Sequence, residues 1–275
     1  MISIDLPPVG GHNGVPSDVY HLWPAASSTV IRNLMKSTPM HAVVGLVDPD
    51  SPSLRLGTAV HAAVLEPHLY DGIVRVEPDV DRRTKEGKAT YADFQASMMP
   101  GQVAISRDQS SVVDVIRLRV SESEAAQSLL RQAPCREFSV HAWIDGVPCK
   151  CRCDAYGDGI CVDVKTTSQL ASPEAFGDSV WRYGYAAQAC FYRMVLEESG
   201  RKCTRFCWIA CETNAPNGIA CYEVDGSVLD HLEPAVRKAI AVYGKCLESQ
   251  EWPGYPDEVR RLELPAWVTR QLEGT

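Results

Sequence analysis

Three observations in this sequence predict an α/β protein with a helical N-terminal third and a central sheet. Apolar types make up 45% and charged types 23% of the 275 residues, with 19 Gly and 18 Pro. That is the composition of an ordinary folded protein, not of a disordered, collagen-like or rod-like one. Up to Pro134 the apolar residues recur at helical spacing between cap and breaker residues. After Pro134 the pattern turns to alternation, punctuated by the turn pairs Asp145-Gly146 and Asn217-Gly218. No repeat, low-complexity tract or linker divides the chain, so a single domain over 1–275 is expected. Its loop and helical part would cover about 16–134, its core about 135–250, and an irregular tail the rest.

The opening is rich in Pro and Gly and reads as loop as far as Trp23-Pro24. Ser27 and Ser28 can cap a short helix over 29–36 that ends before Pro39. Residues 49–52, bounded by prolines, read as loop. A helix from Leu54 or Gly57 to Leu65 is stopped by Pro67. Residues 72–76 suggest a short strand, and the basic run 81–88 leads into a helix over 89–98. A longer helix with one interruption is expected over 107–130. Strands follow over 136–144 and 148–154 around Asp145-Gly146, then a turn at 156–159 and a strand over 160–165. Ser172-Pro173 starts a helix with Ser as cap and Pro in its first turn. A second helix covers 185–198 and closes at Gly200. A strand pair over 205–212 and 219–224 and a helix over 229–249 complete the core.

No apolar run approaches the roughly 18–20 residues that span a bilayer, and the start MISIDLPPVGG lacks the pattern of an export signal. A cytoplasmic protein without membrane partners is therefore expected, with its 11 cysteines as free thiols. A net charge of −8 argues against non-specific coating of nucleic acid or membrane, though not against a local basic channel.

The segment CDAYGDGICVDVKT carries the chemistry. In a strand, residues two apart share a face, so Asp163 and Lys165 project together while Val162 and Val164 point to the core. A hairpin would bring Asp154 alongside. Two carboxylates and an ammonium at one spot make sense if the carboxylates hold a hard cation such as Mg²⁺ or Mn²⁺. The lysine would then orient a water or neutralise charge on a phosphorane-like transition state. The plain alternative is an exposed hairpin with a solvated Asp/Lys pair, worth about 0 to 1 kcal/mol. Cys149, Cys151 and Cys153 alternate along one strand at about 6.6 Å. That spacing is too wide for one zinc or iron–sulfur centre, so no such cluster is expected. On this reading the three thiols share the core face with Val162 and Val164.

The array Asp-x8-Asp-x-Lys resembles the PD-(D/E)xK nuclease signature, and further segments are similar to RecE-type exonucleases of that superfamily (the exodeoxyribonuclease VIII type). These are Ser27-Ser28, the stretch from Leu56 through His61 to Pro67, Arg82 to Lys88, Glu137 to Val140, and Gln188-x-x-x-Tyr192. Trp252-Pro-Gly-Tyr255 and Leu264-Pro-Ala-Trp267 close the series. The resemblance runs from about Pro16 to Trp267 and implies a PD-(D/E)xK core with a mixed sheet flanked by helices. It implies His61, Asp154 and Asp163 as metal ligands, joined by the carbonyl of Val164, with Lys165 as the catalytic lysine.

Taken alone, His61 reads as a buried helix histidine; only the resemblance makes it a ligand. Gln188 and Tyr192, one helical turn apart, would steady the DNA end or the lysine, or else pack at the core edge. Glu137 would add to a second metal position or sit exposed on its strand. Arg82, Arg83, Lys85 and Lys88 are the best phosphate contacts in an acidic chain, the alternative being a solvated loop. Tyr20, Trp23 and Tyr91 offer rings for base stacking, with Trp23 better suited to the core. The family further implies a Mg²⁺-dependent exonuclease that resects double-stranded DNA ends 5′→3′ to leave 3′ single strands for recombination. A ring-shaped homo-oligomer, a single-strand annealing partner and a phage-like setting belong to the same implication. A structure-specific endonuclease and an idle DNA-end-binding module are the rival expectations.

Overall fold

A computed structural model describes residues 5–44, 51–264 and 268. Part of the predicted loop at 49–52 and residues 265–267 of the closing motif lie outside the described residues. The chain opens with β1 (Gly10–His12) and α1 (Ser17–Leu22), where the sequence predicts loop. α2 (Ser28–Leu34) is capped by Ser27, whose Oγ accepts from the Val30 amide, and α3 (Pro39–Val44) follows. α4 (Pro52–Leu65) has Ser51 as cap and proline in its first turn. α5 (Tyr70–Ile73) takes the first half of the predicted strand and leaves β2 (Val74–Val76). α6 (Lys85–Ala96) starts four residues before the expected Ala89, because Thr84 Oγ1 accepts from the Gly87 amide and caps it there.

β3 (Val103–Ile105) pairs in parallel with β2. α7 (Arg107–Glu122) opens on a reciprocal capping box of Ser106 and Gln109. The expected interruption falls at Ser123, which ends α7 and caps α8 (Glu124–Gln132). The core follows as β4 (Cys135–Ile144), β5 (Val147–Gly157), β6 (Ile160–Thr167), α9 (Pro173–Arg182), α10 (Tyr185–Glu198), β7 (Arg205–Glu212), β8 (Ile219–Glu223) and α11 (Gly226–Ser249).

The main sheet has the order β1-β4-β5-β6-β7-β8 and is mixed: β6 and β7 run parallel, and the other neighbours antiparallel. Two-residue turns with positive φ at Asp145-Gly146 and Asp158-Gly159 close the β4–β5 and β5–β6 hairpins. Parallel pairing requires a crossover, and α9 with α10 supplies it. Both faces of the sheet are covered. On one, Phe138, Phe191, Phe206 and Ile240 pack with helices α2, α9, α10 and α11. On the other, Val60, Ile116, Val162 and Ile209 pack with α4, α7 and α8. Each fully buried aromatic or branched side chain contributes about 1.5–3 kcal/mol.

The N-terminal segment is tied to this sheet in two ways. Gly11 of β1 lies against β4, where an added Cβ would run into the Phe138 ring. Lys150 of β5 is buried, and its ammonium donates to the carbonyls of Tyr20 (2.9 Å), His21 (3.0 Å) and Trp23 (2.8 Å) at the end of α1. A cation suits a helix C-terminus, although burial pushes its pKa down to about 8.

One reading is corrected. Cys149, Cys151 and Cys153 do not share a face with Val162 and Val164. They lie in the core of Phe206 and Trp208, while Ala155, two residues beyond Cys153, lies in the opposite core with Val162 and Val164. Strand β5 turns over at Asp154, so alternation does not carry through that residue. Opposite it in the β4–β5 register stands Glu137, whose φ of +46° is unusual for a non-glycine in a strand.

Candidate active site

The turnover at Asp154 is where the sheet opens. β5 and β6 form a ladder only at Ala155–Val162, Tyr156–Cys161 and Gly157–Ile160. Beyond it, the Asp154 carboxylate replaces the missing strand: its Oδ2 accepts from the Val164 amide at 2.7 Å. Further along β5, Ala26 takes the edge, exchanging backbone hydrogen bonds of 2.8 Å with Pro148 and Lys150.

α4 delivers His61 to this opening. Its Nε2 lies 2.8 Å from the Val164 carbonyl oxygen and its Nδ1 3.5 Å from Asp154 Oδ2. When Nε2 carries the proton and donates to that carbonyl, the Nδ1 lone pair faces a carboxylate oxygen. Glu137 completes the group: His61, Glu137 and Asp154 each offer a ligand atom, all within 4.8 Å of one another. Arg152 positions Glu137, donating from Nε to Oε2 at 2.7 Å and from Nη1 to the Val15 carbonyl at 3.0 Å.

Asp163 and Lys165 share a face of β6, as alternation predicts. Asp163 is 1% exposed, its Oδ1 accepts from Gln188 Nε2 at 2.9 Å, and its Oδ2 pairs with Lys165 Nζ. Burial works against the Lys165 ammonium, yet Asp163 and Asp154 outweigh it and hold its pKa above the ordinary lysine value. The ring of Tyr185, first residue of α10, stands 4.9 Å from Lys165 Nζ. Burial, reinforced by the charge of Asp163 and opposed by His61 and Lys165, raises the Asp154 carboxyl to about 7.

The structure thus gathers His61, Asp154, Glu137, Asp163, Lys165 and Gln188 about the open end of the β5–β6 hairpin. The Val164 carbonyl is there too, engaged by His61. Tyr192 lies elsewhere, in the apolar core with its ring 6.2 Å from Phe206. The basic run is partnered within its own segment: Arg82 pairs with Glu77 and lies 3.5 Å over the Tyr91 ring, and Arg83 grips Asp81 at 2.9 and 3.0 Å. Lys85 and Lys88 ride on α6 rather than in a loop. Arg152 and Tyr185 were missed by sequence reasoning. The signals were available: Arg152 is two residues from Asp154, and Tyr185 is one helical turn before Gln188.

A divalent cation fits this donor set. An imidazole and two carboxylates converge, and burial with the neighbouring charge of Asp163 raises the Asp154 carboxyl, a penalty that a bound cation would offset. His61, Glu137 and Asp154 would hold such an ion, and the imidazole favours Mn²⁺ over Mg²⁺.

Among solved structures, the chain is similar to a candidate exonuclease from Eubacterium rectale, with 14% identity and a TM-score of 0.59. That alignment covers 96% of this chain and 100% of the other. A phage-related exonuclease from Haemophilus somnus 129PT aligns over 82% of this chain and 96% of its own, at 10% identity and a TM-score of 0.32, too low to argue from. No curated protein matches. By a match that runs over residues 27–264, the chain belongs to the family described as PDDEXK-like domain of unknown function (DUF3799).

Proposed function

We propose that this protein is a divalent-metal-dependent exonuclease of the RecE-like type that hydrolyses phosphodiester bonds of double-stranded DNA from its ends. One observation carries the reading: a possible cation site of His61, Glu137 and Asp154 stands beside a buried Asp163–Lys165–Gln188 chain at the point where two strands part. A divalent ion, Mg²⁺ or Mn²⁺, would polarise the scissile phosphate and acidify a water.

The protein's own groups do the rest. Lys165 keeps its proton and presents positive charge where the phosphate becomes more negative, or orients the attacking water. Asp163 sets the position of that ammonium, Gln188 sets Asp163, and Arg152 sets Glu137. Each is buried or half-buried, so little reorganisation is needed when a phosphate arrives. Polarity 5′→3′, a 3′ single-stranded product for recombination, a ring-shaped homo-oligomer and a single-strand annealing partner complete the proposal, on the strength of the sequence resemblance. A ring would reconcile DNA binding with the net charge of −8.

The test is digestion of linear duplex DNA labelled at the 5′ or the 3′ end, with Mg²⁺ or Mn²⁺, beside Lys165→Ala. Early release of 5′-labelled mononucleotides, abolished by the substitution, is expected. Cleavage of covalently closed circles would shift the reading to an endonuclease. No degradation of either end would leave only a DNA-end-binding module.

A further inference from the structure

A groove of about 360 Å³ lies beside the candidate site, between α2 and the corner where α9 gives way to α10. Met35 and Leu232 contribute apolar surface to it, and Trp181 lines it. Among the described residues that line it are three cations, Arg32, Lys36 and Arg182, and no carboxylate. That is a marked local excess in a chain of net charge −8. Trp181 is 76% exposed and Tyr183 53%, so two large rings at this corner are left to solvent.

The cations are held from behind. Lys36 Nζ donates to the Arg182 carbonyl at 2.6 Å and Arg32 Nη1 to the Tyr183 carbonyl at 2.9 Å. Arg32 spends two further donors on Ser28 and Thr29. Both side chains keep spare N–H groups for an acceptor from outside. Burial and the charge of Arg32 depress the Lys36 pKa, a repulsion that an anion between the two would relieve. The groove adjoins the site, because Gly184 and Ala186, which line it, flank Tyr185. The Tyr183 ring centroid is 5.7 Å from that of Tyr185, which in turn stands 4.9 Å from Lys165 Nζ.

We propose that this groove binds single-stranded DNA next to the active site, with a base stacked on Trp181 and phosphates on Lys36, Arg32 and Arg182. The inference rests on the nuclease reading above and deepens it. A single strand is the occupant because its bases expose the π-face that an exposed indole needs, whereas duplex bases are already stacked on each other. Phosphate supplies the negative charge that the three cations match.

Fluorescence anisotropy of labelled oligothymidylate, titrated with the metal-free full-length protein, tests the proposal. Trp181→Ala is expected to weaken binding roughly 10- to 100-fold, Trp181→Phe to retain most of it, and Lys36→Ala to weaken it and flatten its salt dependence. Trp181 and Lys36 are exposed, so unchanged melting temperatures are expected. On duplex DNA with Mn²⁺ the alanine variants should raise KM and leave kcat nearly unchanged. Wild-type protein that degrades DNA, with both alanine variants binding the oligonucleotide as tightly as wild type, would overturn the inference alone. Wild-type protein that neither binds nor cuts DNA would overturn the nuclease reading and the inference with it.

Discussion

Replacing Gln188 with leucine isolates the one side-chain amide that holds Asp163. Gln188 Nε2 donates to Asp163 Oδ1 at 2.9 Å, with the two residues 6% and 1% exposed. Water therefore has little access to replace the donor. A hydrogen bond to a charged group contributes about 1.5–3 kcal/mol, and a buried acceptor left without a partner costs a comparable amount. Leucine is close to glutamine in volume, so the cavity effect is small.

The expected loss is about 2 kcal/mol, or roughly 4–8 °C in melting temperature for a chain of this size. Asp163 would also hold Lys165 less tightly, and since about 1.4 kcal/mol is tenfold in rate, hydrolysis should fall at least about tenfold. Urea unfolding of the metal-free protein, followed by tryptophan fluorescence, gives the first quantity; hydrolysis of end-labelled duplex gives the second. An unchanged unfolding midpoint together with an unchanged rate would show that Gln188 neither holds nor positions Asp163, and the chain of contacts behind Lys165 would have to be abandoned.

The other two predictions concern protonation and thiol access. The folded Asp154 carboxyl sits at about 7, above the ordinary 3.8. It therefore binds its proton more tightly folded than unfolded, and stability present below pH ~4 is lost as pH rises to ~7. Asp154→Asn should make the metal-free protein more stable than wild type at pH 8, by up to about 4 kcal/mol, with the difference gone near pH 4; thermal melts at the two pH values check this, and a variant less stable at pH 8 would refute it. All 11 cysteines are free, and only Cys135 and Cys221 are not buried. Burial pushes Cys149, Cys190, Cys203 and Cys211 up to about 12. A thiol-reactive dye at pH 7.5 should label at most two thiols rapidly in native protein and all 11 in urea, and three or more fast thiols in the native state would contradict the packing described.

Much of this was legible in sequence because its causes are local. Ser27, Ser172 and the Asp-Gly pairs act within four residues, and the shared face of Asp163 and Lys165 needs only the strand period. What escaped depends on partners far away in the chain. β1 is Gly-Gly-His, with one side chain to read, and it exists because β4 offers an edge. α1 is kept in place by Lys150, more than 120 residues later. The turnover at Asp154 is shared with Glu137 on the neighbouring strand, so no pattern within 149–154 reveals it. Glu137 and Arg152 reach the candidate site through that same irregularity. Thr84 shows the reverse case: a local cap, present in the sequence, that moves Lys85 and Lys88 from loop to helix.

A site built from an interrupted ladder carries an uneven tolerance to change. A side chain exchanged there loses its own contacts but leaves the backbone in register, since β5 and β6 are anchored on either side by β4 and β7. Insertions and deletions are another matter. Between Asp154 and Asp163 the chain has two short strand ends and a two-residue turn, with no slack to absorb an added residue. A single extra residue there would turn every following side chain over, sending Asp163 and Lys165 into the Val60 core and Val164 into their place. The length of this hairpin is thus as much a part of the site as Asp154, Asp163 and Lys165 themselves.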